Sequence, residues 1–366
     1  MNNTNIENDL KKDGITIVKP VDTLTITLIA KFVAEKLTTT FIFYGLKQND
    51  LFVRIARVPM YIAKIPDGMS EANYLYKNSS IYFKEGLSIE EMQVYAVHEF
   101  IHYYQELKDK KNVLYRLGLC DFTNFKVYGM ALNEAAVQLI SSKALKSKVD
   151  IVKYYGILMP TISPNCYPII CNLITQMAYI TGEQVLFDST LYSNDNFKNS
   201  FINLCGEKTF YIVQNNFDKI LNVEEKIIKI NYILQENNNL SEKLISKYSH
   251  KILKYKNIIQ NTFITTQNLI LTSYFNTKFN NVYSATEVEE YRKKLYNYKD
   301  IIGTTDDYSY FNNYYINMMT KLSEKLDNIN SNIYLQPYKV NIFSTVVNKL
   351  LKLVNNGTEQ IGTKMS

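Results

Sequence analysis

Along most of this chain apolar residues recur at helical spacing and only short runs alternate, a pattern that predicts an α+β fold growing more helical after its midpoint. Residues 15–20 alternate like a strand. Asp22 is placed to cap a helix through residue 36, with Leu24, Leu28 and Phe32 among its apolar positions. Residues 51–65, rich in Val, Ile and Tyr, and residues 80–84 (SIYFK) read as β-prone runs, the second ending at Glu85-Gly86. Residues 88–107 then read as a long helix, because Ser88 and Glu91 form an S-x-x-E capping box and neither Gly nor Pro occurs between it and residue 107. Val94, Val97, Ile101 and Tyr104 make one apolar stripe on it, and Met92, Ala96 and Phe100 add apolar mass elsewhere, which predicts a helix enclosed on most sides.

A third helix is expected over 131–145, carrying Leu132, Ala136, Leu139, Ile140 and Ala144, after a connection that holds Gly118 and Gly129. From Pro168 onward the pattern is helical over 168–187, 224–235, 241–275 and 286–298, the last opening on a T-x-x-E box at Thr286 and Glu289. The expected organisation is a polar tail (1–14), an α+β part (15–195), a helical C-terminal domain (196–354) and a frayed tail (355–366).

Composition narrows the function classes. With 366 residues, 46% of them hydrophobic and 21% charged, the chain has material for a packed core and more than a minimal domain. The 41 basic residues against 35 acidic ones give +6, but only Arg54, Arg57, Arg116 and Arg292 are arginines and both signs are interspersed. That distribution argues against nucleic-acid binding, which concentrates basic residues and uses arginine forks. Four cysteines, 120, 166, 171 and 205, form no C-x-x-C pair and read as free thiols. The first 14 residues are polar where a signal peptide needs an apolar run, and the long uncharged stretch 154–182 is broken by Pro160, Pro164 and Pro168. The expectation is a cytoplasmic protein without a transmembrane segment, leaderless export being the alternative.

One string carries chemistry. His98-Glu99-Phe100-Ile101-His102 is an H-E-x-x-H sequence placed on the capped helix, and it uses two of the three histidines in the chain. From the composition, such a string is expected by chance on the order of 0.002 times. Residues four apart lie one turn above each other, so both imidazoles address one point and can bind one Zn²⁺, with Glu99 beside it as general base on a zinc-bound water. The competing interpretation is a pair of core histidines. A third ligand is required. His250 lies in a lysine-rich segment that reads as solvated, and Glu106, eight residues beyond His98, is about 12 Å along the helix axis. Asp121 lacks a surrounding motif, whereas Glu134, 32 residues after His102 in an apolar-periodic helix without a basic residue at i+4, is the expected ligand, a surface glutamate being the plain alternative.

H-E-x-x-H followed by Asn133-Glu134 resembles the gluzincin class of zinc metallopeptidases, thermolysin-like in particular, whose pattern is H-E-x-x-H and then N-E-x-x-x-D. The resemblance implies a zincin-like α+β catalytic domain, His98, His102 and Glu134 as metal ligands, and Glu99 as catalytic base. Gln138 stands where that class has an Asp that orients a ligand histidine. The spacing from His102 to Glu134 is nearer to that of the bacterial, clostridial neurotoxin light chains, whose AT-rich residue usage is similar, although no R-x-x-Y pair of theirs is visible. The likeness covers residues 74–145. It further implies that strand 80–84 is a sheet edge able to pair with an extended peptide.

The function expected is zinc-dependent hydrolysis of a peptide or protein substrate. Its oxyanion donor is not identified, Tyr128 and Tyr179 being candidates by position, and Glu183 is either a surface residue or a support for the site. The rival from another class is a catalytically inactive zincin-like binding protein, against which the intact Glu99 argues.

Overall fold

The structure is a computed structural model that describes residues 3–12, 14–111, 113–123, 126–237 and 240–331. It is α+β, with three small sheets and a helical C-terminal part. The expected end of the helical domain (332–354) and the frayed tail (355–366) lie outside the described residues.

The chain opens on helix α1 (Asn3–Lys12), which replaces the expected polar tail. Ile6 and Leu10, one turn apart, give it an apolar face that joins Ile15, Ala63, Ile65 and Tyr82. Strand β1 (Thr16–Pro20) follows, then α2 (Thr23–Thr40), whose first turn is closed by Asp22 Oδ1 accepting from the Thr25 N–H at 3.0 Å. The run 51–65, expected as β-prone, divides into helix α3 (Gln48–Ala56) and strand β2 (Met60–Lys64). Leu51 and Ile55, four apart and both buried, form the helix's core face, so helical spacing overrides local β propensity there.

Strands β3 (Ala72–Leu75) and β4 (Ser80–Lys84) complete a four-stranded sheet of order β1-β2-β4-β3. β4 runs parallel to β2 and antiparallel to β3, so it is interior, and its first four residues are buried. The sheet edge expected at 80–84 is therefore β3. Helix α4 (Ile89–Tyr104) begins at Ser88 with both bonds of the capping box, at 3.2 and 2.8 Å. It ends three residues before the expected point, because Glu106–Lys108 (β5) turns into a second sheet with β6 (Leu114–Leu117), β7 (Cys120–Thr123) and β8 (Lys126–Tyr128). This antiparallel sheet occupies what the sequence suggested was a plain connection.

Helix α5 (Met130–Ala144) is followed by a hairpin of β9 (Asp150–Tyr154) and β10 (Ile157–Thr161). The expected helix 168–187 is two, α6 (Pro168–Thr181) and α7 (Glu183–Tyr192), separated at Gly182 (φ 98°). Then come α8 (Asn196–Cys205), α9 (Glu207–Glu236), which contains the expected 224–235, and α10 (Glu242–Asn280). Two compact units form, with a division at 270/271. The first unit holds residues up to Ile270 together with Asp300–Tyr308. That segment is held by side-chain amides: Gln267 Nε2 donates to the Gly303 carbonyl, Asn172 Nδ2 donates to the Ile301 carbonyl, and Leu158 pairs with Thr304.

The second unit contains the end of α10, α11 (Ala285–Tyr298) and α12 (Tyr310–Asn330). Phe275, Tyr291 and Tyr298 meet edge to face at its centre. The capping box of α11 is Ser284 with Glu287, not Thr286 with Glu289. Glu287 also accepts from the Tyr283 N–H, while Glu289 is taken by Arg292 at 2.6 Å. Among the described residues no helix is long and apolar enough to cross a membrane.

Candidate metal centre

Three ionisable side chains converge where α4 lies on α5. His98 Nε2 and His102 Nε2 are 3.0 Å apart, and the Glu134 carboxylate reaches both, Oε2 to His98 and Oε1 to His102, at 3.3 Å each. This is the set of possible metal-holding groups formed among the described residues. Two ligands at about 2.0–2.1 Å from one ion in a tetrahedral arrangement stand about 3.3 Å from each other. The three separations match that edge length. The donor set therefore fits a single small divalent ion, with two nitrogens from successive turns of α4 and one carboxylate from α5.

Local structure explains why Glu134 arrives there. The preceding residue, Asn133, pairs amide to amide with Gln105, each donating to the other at 3.2 Å, while its Oδ1 also accepts from the Leu119 N–H at 3.0 Å. Both amides are fully buried, so this pairing bolts the end of α4 to the start of α5. Gly118 (φ 54°) passes so close that a Cβ would lie 2.1 Å from Asn133 Oδ1 and 2.4 Å from Gln105 Nε2.

The histidines are oriented individually. His98 Nδ1 lies 2.9 Å from Gln138 Oε1, an acceptor that makes Nδ1 the protonated nitrogen and leaves the Nε2 lone pair able to ligate a metal. Gln138 is itself fixed by donating to Ser142 Oγ at 3.2 Å and Ser163 Oγ at 2.9 Å. His102 Nδ1 is buried with no partner at bonding distance, and the side chain of Gln105 is the polar group that acts on it. The Tyr74 ring lies nearly parallel to the His102 ring, with centroids 6.5 Å apart. Burial would depress the proton affinity of His102, but the Glu134 carboxylate raises it to about 9. Burial likewise works to raise Glu134, and the two histidines outweigh it and hold the carboxyl far below its ordinary range.

Glu99 is buried beside this triangle, 6% exposed. Burial raises its proton affinity, while His98, His102 and the backbone N–H of Tyr74 on the edge strand oppose that rise. Tyr74 is fixed at its other end by donating to Glu106 Oε1 at 2.5 Å. Glu106 is thus occupied with Tyr74, Ser79 and Lys108 and takes no part in the triangle. His250 is exposed on α10, and Asp121 stands on β7 opposite Arg116 and Tyr128, its side chain outside the described residues. Glu183 pairs with Lys143 at 2.7 Å.

Of the two tyrosines singled out by position, Tyr128 is half exposed at the end of β8 and Tyr179 lies on α6. The tyrosine on which Glu134 and Glu99 both act is Tyr167, which precedes α6 in a left-handed conformation (φ 52°). Its hydroxyl bonds no group among the described residues. A Tyr-Pro pair before a helix carries no sequence signal for such a place. Compared with known proteins, the chain matches no family model, no curated protein and no solved structure.

Proposed function

We propose that this chain is a zinc-dependent metallopeptidase of the gluzincin type, with a zincin-like domain built on α4, α5 and the β1-β2-β4-β3 sheet. The observation that carries the reading is the triangle of His98, His102 and Glu134, with edges of 3.0 to 3.3 Å, beside buried Glu99. Two imidazoles and a carboxylate are a donor mixture that suits catalytic Zn²⁺. When bound, the ion supplies Lewis-acid polarisation of a water molecule and of the scissile carbonyl.

The remaining chemistry belongs to side chains of this protein. Glu99 takes a proton from the attacking water and delivers it to the leaving amine, and the opposed pulls of burial and the two histidines suit a group that must first accept and then release a proton. Gln138 holds the His98 ring in its ligating orientation. The unpartnered Tyr167 hydroxyl offers a donor to the oxyanion of the tetrahedral intermediate. Strand β3 is the sheet edge beside α4 and would align an extended peptide by main-chain bonds, the role that the resemblance had given to residues 80–84.

The test is Glu99→Gln, assayed with the unsubstituted chain on an unbiased peptide library after metal analysis of both. The expected result is one zinc per chain in each and a loss of about 10²–10⁴ in turnover in the variant. Wild-type turnover by Glu99→Gln would remove Glu99 from catalysis. Zinc in both chains with no cleavage by either would favour the binding-protein alternative.

A further inference from the structure

Gln138 poses a problem that a carboxylate in its place would not, since both oxygens of a carboxylate accept. A side-chain amide accepts at Oε1 and donates at Nε2, and a half-turn about its terminal bond exchanges the two. With Oε1 towards His98, the imidazole keeps its proton on Nδ1 and Nε2 is open to a metal. With Nε2 towards His98, the amide N–H calls for a bare Nδ1, and the ring proton moves to Nε2, where it blocks ligation. The choice falls to whatever the far end of the amide meets.

Two hydroxyls lie at that end: Gln138 Nε2 donates to Ser142 Oγ at 3.2 Å and to Ser163 Oγ at 2.9 Å. Ser142 and Ser163 are 4% and 3% exposed, so bulk water does not stand in for either. Ser142 by itself makes no choice, because a hydroxyl both donates and accepts and would bond either end of an amide. Ser163 differs. Its only proton is given to the Cys166 carbonyl at 2.5 Å, and a carbonyl oxygen can only accept. What Ser163 turns towards Gln138 is then a lone pair, which only the Nε2 end can meet. The bonds therefore run one way, from His98 Nδ1 to Gln138 Oε1, from Gln138 Nε2 to Ser163 Oγ, and from Ser163 Oγ to the Cys166 carbonyl. The direction originates at a backbone acceptor whose role is invariable.

The chain holds Ser163 in place for this. Its N–H donates to Thr161 Oγ1 at 3.1 Å, at the end of β10, and Pro164 after it disfavours helical backbone at Ser163. We propose that Ser163 is a positioning residue of the metal centre: it holds the Gln138 amide one way round, which fixes the His98 proton on Nδ1 and leaves Nε2 to the metal. Ligation through His98 Nε2 is taken from the metallopeptidase reading, but the place of the ring proton is measurable without metal.

The experiment uses the full chain, isotope-labelled at histidine, with the His98 signals assigned by their absence from His98→Ala. In the metal-free chain, NMR is expected to show a His98 Nδ1 proton in slow exchange with water, and Ser163→Ala to lose it. In chelator competition, Ser163→Ala is expected to weaken zinc binding about tenfold. The same substitution should cost nothing further when combined with Gln138→Ala or with Gln138→Glu, because no amide is left to turn. A loss of equal size in all three backgrounds would show that Ser163 merely supports the loop, and would overturn the proposal. Absence of the Nδ1 proton from the unsubstituted chain overturns it as well, and needs no variant to fold. A Ser163-dependent Nδ1 proton in a chain that takes up no zinc leaves the positioning role and removes the metallopeptidase reading. Zinc bound with unaltered affinity by Ser163→Ala does the reverse.

Discussion

At the residue scale the metal triangle makes a ranking that affinity measurements can check. Glu134→Ala removes the carboxylate that touches both imidazoles and should weaken zinc affinity by orders of magnitude, whereas Asp121→Ala should leave it largely intact. The opposite ranking in a chelator competition assay would place the third ligand on β7. Gln138→Ala frees His98 to rotate and should cost about 10–100-fold in metal affinity, less than loss of a ligand. Glu224 leads to a pH prediction. Burial pushes its carboxyl up to about 8, from an ordinary value of 4.5, and no charged group acts on it. Tyr154, Tyr155 and Tyr167, which feel its charge, are themselves raised, chiefly by burial, and stay neutral. Its contribution to stability is fully present below pH 4.5 and is lost as pH rises towards 8, at about 1.4 kcal/mol per unit, because the unfolded chain gives up a proton that the folded chain keeps. Glu224→Gln should therefore raise the melting temperature at pH 8 and leave it nearly unchanged at pH 4, and a gain of equal size at both would contradict the assignment.

At the element scale, positioning of the site depends on how α4 begins and where it stops. Ser88→Ala breaks the capping box and should lower stability by about 1 kcal/mol, read as a modest fall in melting temperature with the metal site intact. Gly118→Ala should do more damage. An added Cβ at 2.1 Å from Asn133 Oδ1, on a residue at φ 54°, forces apart the Gln105–Asn133 pairing that sets α5 against α4. The expected loss is about 2–4 kcal/mol, accompanied by weaker zinc binding because Glu134 follows Asn133. A variant of full stability with unaltered zinc affinity would show that the two helices are held by other contacts.

For the whole molecule, the proposed metal would be linked to the fold by mass action. An ion that binds the folded chain alone adds about 4 kcal/mol when free metal exceeds its dissociation constant a thousandfold. Removing metal with a chelator should thus lower the melting temperature, and adding zinc back should restore it. His98→Ala should abolish the difference, and a chelator-sensitive transition that survived this substitution would locate the responsible ion elsewhere. The compact units bear on the same experiment, because His98, His102 and Glu134 all lie in the first unit. If the two units melt separately, only that unit's transition should move.

What the sequence determined by itself is local in origin. The start of α4 was legible because a capping box is read within four residues, and the two imidazoles because i and i+4 share a helix face whatever surrounds them. Glu134 and Gln138 were legible through the Asn-Glu resemblance, and their convergence on the histidines is visible in the bond distances. The tertiary structure decided the rest. Strand β3 and the β5–β8 sheet are three- and four-residue strands, too short for period-two patterning to register, and pairing with neighbours creates them. It also decided that β4 is interior, since edge or centre is a property of the partners a strand finds and not of its residues. Tyr167 and Glu224 went unread for the same reason: a tyrosine before a proline and a glutamate on a helix acquire meaning only when the fold sets their surroundings, a left-handed backbone for the one and a buried helix face for the other.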